Sequence, residues 1–312
     1  MASLRTPVDR KRVAIVGSGG RLGGALVKSL EKDHAVIALT RAQLDLGNPQ
    51  SIEKALEPLD YDLLILPGAL TGVDYCETHV EESYAVNAEG PRQIAEISAA
   101  KGAHVTYVST DMVFGGFKPE PYQESDIPDP ISVYGASKLK GEEYVLSVSP
   151  DNLVARVSWL YGPGKPAFPE WIVEKSFTEK NLTLPGNKIC CPTYSMDAID
   201  YLIALLFRSD GKPASGVFNL CNSEPCTWRD WGQFCIDTAR EAGLPVIAGE
   251  IEKVTLDSVA AFVAKRPVNS AMSTEKFASF TGIHPRHWKE AVREFLLQSD
   301  CFYKHHQNLN AG

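Results

Sequence analysis

The sequence predicts a doubly wound α/β fold on a parallel sheet, with a second, smaller domain toward the C-terminus. Apolar runs of strand length recur along the chain: "RVAIVG", "HAVIALT", "DLLILPGA", "HVTYVST", "NLVARVSWLY" and "GVFNLC". Helix-length amphipathic stretches fall between them, among them "RLGGALVKSLEK", "VEESYAVNAEGPRQIAEISAAKG" and "SVYGASKLKGEEYVLSVS". That alternation is the mark of βαβ units, in which a helical crossover covers each face of a parallel sheet. The third observation is a glycine pattern at the first strand-to-helix junction, "VAIVGSGGRLGGAL".

The junction gives G-x-x-G-x-x-G from Gly17, Gly20 and Gly23, with Arg21 and Leu22 inside the pattern. Glycines after a strand and at the opening of a helix let backbone amides approach a pyrophosphate at the helix N-terminus. These five residues are the expected cofactor contacts of a Rossmann-type sheet, although the same glycines would also serve a tight turn with no ligand. The second strand ends in "ALTRAQLDL". Arg41 stands where an acidic residue would hold the ribose 2′-hydroxyl of NAD, and an arginine suits a 2′-phosphate. NADP is therefore the preferred cofactor, with NAD left open; Asp45 and Leu46 follow and could border the adenine.

The fourth strand, "HVTYVST", ends at Thr110, and ligands of open α/β sheets bind beyond the carboxyl ends of the strands. The next helical segment, "SVYGASKLKGEEYV", sets Tyr134 four residues before Lys138. On a helix, positions i and i+4 share a face, so phenol and ammonium project side by side. Hydride transfer to a carbonyl leaves developing alkoxide charge, and a proton donor must then stand within hydrogen-bond reach. Tyr134 can be that acid, because a neighbouring ammonium favours ionisation of a phenol. Lys138 would tune it and bond the nicotinamide ribose, and Thr110 would hold the carbonyl oxygen. A buried polar network with no catalytic use is the competing reading. Tyr161 and Lys165 have the same spacing but are separated by Gly-Pro-Gly, which does not hold a helical register.

After Tyr161 the rhythm falters. "GPGKPAFPEW" reads as loop, and the chain beyond about residue 223 reads as helices with few strands. The expected division is a dinucleotide-binding domain over 1–163, to which 190–222 returns, and a substrate domain over 164–189 and 223–312. Asp197 and Asp200 in "SMDAIDYL" look like charges at a helix N-terminus. Arg266 in "KRPVNS" would either meet a diphosphate or anchor the C-terminal domain. "WRDWGQF" reads as core of that domain.

Composition narrows the function classes. The chain has 312 residues, 44% hydrophobic and 22% charged, which is ordinary for a globular protein. Its N-terminus shows no signal-peptide core, and no window nears the roughly 18 apolar residues that span a bilayer, so a cytoplasmic location and no membrane partner are expected. Seven cysteines, with Cys190 and Cys191 adjacent and no C-x-x-C, suggest reduced thiols rather than a disulfide framework or zinc site. A net charge of −8 argues against a nucleic-acid surface. The tail "YKHHQNLNAG" is read as a chain end, and no metal site is expected.

The glycine loop, Thr110, Tyr134 and Lys138 resemble the extended short-chain dehydrogenase/reductase superfamily. A longer run of matches is similar to the dTDP-4-dehydrorhamnose reductase family within it: "GALTGVDYCE", "YAVNAEGPRQIAE", "VSTDMVFGG", "PISVYGASKLKGE", "RVSWLYG", "CPTYSMDAI" and "RPVNSAMSTEKF". The resemblance implies NADP- or NAD-dependent reduction of a nucleotide-bound 4-keto-sugar, with Tyr134 as acid, Lys138 as its partner and Thr110 as carbonyl holder. It implies that Asp111 and Trp159 border the sugar and that Gly68, Ala69 and Leu70 form a strand-end cofactor loop. A homodimer is an assembly this reading leaves open. Two departures stand out: "PGAL" replaces an Asn-Ala-Ala-Ala-like run, so Pro67 removes an amide, and "GPGKPAFPEW" lacks the family's common Asn-Phe pair. Met112 after Asp111, where a 4,6-dehydratase has Asp-Glu after its threonine, disfavours dehydration. An epimerase stays open, as does a non-catalytic cofactor-binding regulatory subunit like the β subunit of methionine adenosyltransferase.

Overall fold

The structure, a computed structural model, describes residues 10–299 and Phe302. All six predicted apolar runs form strands of one six-stranded sheet, the first five as β1 (Arg12–Val16), β2 (Ala35–Leu39), β3 (Leu63–Leu66), β4 (His104–Thr110) and β5 (Leu153–Val157). The strand Gly216–Leu220 completes it, in the order Gly216–Leu220, β5, β4, β3, β1, β2. β1 pairs in parallel with β2 and β3, and β3 with β4. Every residue of β3 is buried, as expected for a strand covered on both faces.

Helices fill the crossovers. α1 (Arg21–Leu30) buries Leu22, Leu26 and Leu30, a stripe at i, i+4 and i+8. α2 (Pro49–Leu56) starts where the Asn48 side chain accepts from the Ser51 amide and Pro49 occupies the first turn, where its missing N–H costs nothing. α3 (Val73–Thr78) and α4 (Val80–Tyr84) lead into a π-helical turn, Ala85–Glu89, and α5 (Gly90–Ala100). α6 (Val133–Val148) is the helix read from "SVYGASKLKGEEYVLSVS".

The chain divides into two compact units. Among the described residues, the first comprises 10–109, 136–156 and 199–218, and the second 110–135, 157–198 and 219 onward. Relative to the expected bounds, residues 157–163, 190–198 and 219–222 group with the second unit, and so do residues 110–135. For residues 110–135 the physical reason is a long-range backbone pairing: the Tyr122 amide donates to the Ala271 carbonyl at 2.7 Å, and the Ser273 amide to Tyr122 at 2.8 Å. The core of the first unit gathers Ile52, Ile94, Val105, Tyr107, Val145 and Val154. That of the second gathers Tyr161, Tyr194, Trp231, Trp288 and Phe295, so Trp231 of "WRDWGQF" is core.

The second unit carries α7 (Phe168–Ser176), α9 (Trp228–Glu241), α10 (Glu275–Thr281) and α11 (Trp288–Gln298), while α8 (Ser195–Leu206) runs across the division. The segment "GPGKPAFPEW" is loop only to Ala167. α7 begins at Phe168, with Pro169 tolerated in the first turn and the Glu170 carboxylate accepting from the Ala167 amide at 3.0 Å. Asp197 does lie in the first turn of α8, but it does more than meet a dipole: it pairs through both oxygens with Arg286, at 2.9 Å each, and accepts from Asn222. Among the described residues no helix is long and apolar enough to cross a membrane, and no group of three or more His, Cys, Asp or Glu is placed to hold a metal. The histidines of "YKHHQNLNAG" lie outside the described residues.

Candidate active site

The first unit builds a glycine cradle. Gly17 has φ +94°, and a Cβ there would lie 2.6 Å from Gly68 Cα, so the loop after β1 and the loop after β3 touch backbone to backbone. The contact is tied by the Gly68 amide on the Val16 carbonyl at 3.0 Å and the Gly17 amide on Leu39 at 2.8 Å. A Cβ on Gly23 would come within 2.2 Å of the Gly17 carbonyl, so only glycine lets α1 rise this close to its loop. Gly20 caps α1 without a side-chain hydrogen bond, and the opening amides of a helix are the kind of donor that an anion takes. Arg21 is half-buried and Leu22 buried at that opening.

Arg41 stands exposed in the turn after β2, which Gln43 closes by accepting from the Thr40 amide and hydroxyl at 2.9 and 2.8 Å. Asp45 is half-buried, and its carboxylate accepts from the Gly47 amide at 3.1 Å. Leu46 belongs to the core, with its Cδ1 next to Gly68. Ala69 and Leu70 are half-buried in the loop after β3, where Asn87 brackets Leu70 by accepting from its amide at 2.9 Å and donating to its carbonyl at 3.0 Å.

Asn87 is the residue that sequence reasoning missed. It sits fully buried in the π-helical turn, and such turns occur often at functional sites. Its amide also donates to Ser137 at 3.1 Å, and its carbonyl accepts from Tyr107 at 2.6 Å. One side chain thus joins the strand-end loop to α6, one residue before Lys138. The available signal was an asparagine inside a helical run.

α6 carries Tyr134 and Lys138 one turn apart, as predicted. The division between units falls inside β4 and α6, so Thr110 and Tyr134 belong to the second unit and Lys138 to the first. Lys138 is 1% exposed. Its ammonium donates to the Val108 carbonyl at 2.7 Å and lies 3.9 Å from the centre of the Tyr107 ring. Burial lowers its pKa to about 7, against the opposing charge of Glu142. Glu142 is itself occupied by Arg156, in a buried pair at 2.6 Å.

Tyr134 is buried, and Gly135 beside it would place a Cβ 2.2 Å from the Met112 carbonyl. The start of α6 therefore lies against the turn that follows Thr110. Thr110 ends β4, nearly buried, with its oxygen accepting from the Met112 amide at 3.2 Å and its proton donated to Asp111 Oδ1 at 3.1 Å. Asp111 is buried too, and its other oxygen accepts from Ser158 at 2.9 Å and Ser270 at 2.6 Å.

A family model described as the RmlD substrate binding domain matches residues 11–301. The chain belongs to this family. Among its relatives, the spore coat polysaccharide biosynthesis protein SpsK of Bacillus subtilis is 32% identical over 288 residues, covering 92% of this chain and 97% of the relative. The dTDP-4-dehydrorhamnose reductase of Sinorhizobium fredii is 31% identical, covering 91% and 96%. The crystal structure of dTDP-4-dehydrorhamnose reductase from Bacillus anthracis in complex with NADP superimposes with a TM-score of 0.84 at 26% identity, over 93% of this chain and 100% of that one.

In the second unit, Trp159 is a partly exposed aromatic two residues beyond β5. It has φ +36°, a strained value for a bulky residue, and it stacks on Trp228 at 4.4 Å with its edge to Trp231 at 5.1 Å. One face is thus clamped by its own unit, and 36% of the residue stays accessible. Arg266 lies 3.7 Å over the Phe262 ring and donates to the Ala264 carbonyl at 2.9 Å, contacts made within its own segment. The six described cysteines are free and buried; burial pushes the Cys235 thiol well up and the Cys190 thiol up as well.

Proposed function

We propose that this member of the RmlD family is an NADP(H)-preferring reductase of a nucleotide-bound 4-keto-sugar, of the dTDP-4-dehydrorhamnose reductase kind. The observation that carries the reading is α6. It sets Tyr134 and Lys138 on one face, seats its first turn on the Met112 carbonyl through Gly135, and ties Lys138 to β4 at Val108, two residues before Thr110.

The residues fit a dinucleotide: the Gly17–Gly68 contact and the tight Gly23 leave backbone, not side chain, at the opening of α1. Gly17, Gly20, Arg21, Leu22 and Gly23 would hold the pyrophosphate, Arg41 the 2′-phosphate, Asp45 and Leu46 the adenine side, and Gly68, Ala69 and Leu70 the near ribose. When bound, the reduced nicotinamide supplies a hydride. Tyr134 then gives its proton to the carbonyl oxygen as the alcohol forms, and Lys138 holds the ribose and steadies the resulting phenolate. Thr110 acts as donor by turning its proton from Asp111 to that oxygen. Trp159, fixed on Trp228, offers its open face to the sugar.

The reading carries a cytoplasmic location and a homodimeric assembly as further proposals. The deciding experiment follows NADPH oxidation against a panel of nucleotide-linked 4-keto-sugars, dTDP-4-dehydrorhamnose included. Turnover on at least one member is the expected result; tight NADPH binding with no turnover across the panel would instead make the chain a regulatory subunit. Cofactor choice is read separately. Arg41→Ala should weaken NADPH by about 1.5 to 3 kcal/mol, the worth of a charge-assisted hydrogen bond, and leave NADH nearly unchanged. Equal losses would remove the 2′-phosphate role.

A further inference from the structure

Behind Asp111 lies a chain of hydrogen bonds, contained in the second unit, whose directions are fixed. The Met112 amide donates to Thr110, which leaves the threonine proton for Asp111 Oδ1. The Cys191 amide points at the Ser158 oxygen at 3.4 Å, which leaves the Ser158 proton for Asp111 Oδ2. The Lys188 ammonium donates to the Ser270 oxygen at 2.6 Å, and the Ser270 proton goes to the same Oδ2 at 2.6 Å. The alternative acceptor for Ser270, the Ile189 carbonyl, is 3.4 Å away, too long to compete with a carboxylate.

Three hydroxyls thus hold one buried carboxylate. Lys188 supplies the positive charge behind them, itself 3% exposed and anchored on the Ile189 carbonyl at 3.1 Å. Burial lowers the lysine's pKa, the Asp111 charge opposes that, and Arg266 adds to the lowering. A buried carboxylate is stable only when paired and hydrogen-bonded.

We propose that Lys188 is a positioning residue for the reduction. Through Ser270 it holds and partly neutralises Asp111, and so sets how readily Thr110 turns its proton from Asp111 to the substrate carbonyl. Without the ammonium, Ser270 still gives its proton to Asp111, but no positive charge behind it offsets the carboxylate. Asp111, less compensated, then becomes the stronger acceptor and keeps the threonine proton. Lys188 touches neither substrate nor cofactor in this account, which rests on the reductase reading for its kinetic half and on geometry alone for its structural half.

The test compares Lys188→Met, Ser270→Ala and the double variant with wild type. The kinetic expectation is a kcat lowered about 10- to 100-fold in each single variant, less than for loss of a direct oxyanion donor, with the sugar KM and the NADPH Kd within about twofold. The double variant should lose little more than either single one, because both cut the same chain. Additive losses, or a KM rise with kcat retained, would overturn the proposal. Ser270→Ala keeps the lysine and serves if Lys188→Met fails to fold. High-resolution crystal structures read the structural half without turnover. In Lys188→Met, or failing that in Ser270→Ala, the Asp111 side chain should shift and the Thr110 to Asp111 contact should shorten. An Asp111 and Thr110 arrangement unchanged from wild type would sink the idea even if no keto-sugar were turned over, whereas an inactive wild type with the shift present would fault the reductase reading alone.

Discussion

Two tyrosine and lysine pairs with the same spacing behave as different objects in this chain. Tyr134 and Lys138 sit on a continuous helix, where four residues make one turn and both side chains are buried. Tyr161 ends the short strand Leu160–Tyr161, and the next residues turn through Gly162 at φ +143° and Gly164 at φ +97°, values no helix contains. Lys165 is left in solvent while the Tyr161 ring lies in an aromatic core with Tyr194, Trp231 and Phe295 at 5.4 to 5.7 Å. Spacing alone therefore carries no chemistry; the backbone between the two residues decides whether they meet.

The largest contrast is expected in the chemical step. Tyr134→Phe removes the proposed acid, and general acid catalysis is worth about 10² to 10⁴ in rate, so kcat should fall by that factor with NADPH affinity retained. The same substitution at Tyr161 should leave kcat within about twofold. Single-turnover rates for both variants decide it, and equal effects would return the assignment of the acid to the beginning.

How much of this was legible beforehand depends on the range of the interaction. Apolar runs marked all six strands of the sheet, and the helical register of Tyr134 and Lys138 followed from a segment without proline, because both signals live within a few residues. The start of α7 at Phe168 was hidden under three prolines, since proline marks a first turn as readily as a loop. Asn87 was hidden for another reason. Its partners Leu70 and Ser137 lie 17 and 50 residues away, and no local pattern announces them. Asp111 and Ser270, 159 residues apart, are the extreme case.

A second, smaller contrast concerns protons and stability. Lys138 has its pKa lowered to about 7 by burial, whereas the unfolded chain keeps that proton to about 10.4. Between those values the unfolded state binds more protons, so this group makes the fold more stable as pH rises, by roughly 1.4 kcal/mol per pH unit at most. Below pH 7 the folded protein must bury the charge. Lys138→Met should then be more stable than wild type at pH 6, with the advantage closing by pH 10. Urea unfolding at four pH values measures it, and a gap independent of pH would mean that the Val108 carbonyl and the Tyr107 ring fully compensate the ammonium. Lys165→Met, in solvent, should show no such gap at any pH.

The smallest effect is expected where the decoy tyrosine loses its hydroxyl. No protein partner for the Tyr161 oxygen is found among the described residues, and burial pushes its pKa well above the usual phenol range. A buried hydroxyl without a partner costs stability, about 1 to 3 kcal/mol by mutational measure, so its removal should relieve strain rather than create it. The ring contacts with Tyr194, Trp231 and Phe295 survive in phenylalanine, and the volume lost is one oxygen. Tyr161→Phe is therefore expected to be neutral or to stabilise by up to about 1 kcal/mol. A midpoint shift in urea at constant m-value would read this directly. A loss exceeding about 1 kcal/mol would show that the hydroxyl holds an ordered water or a donor in the folded protein, and the core around it would then be polar where the aromatic packing says it is dry.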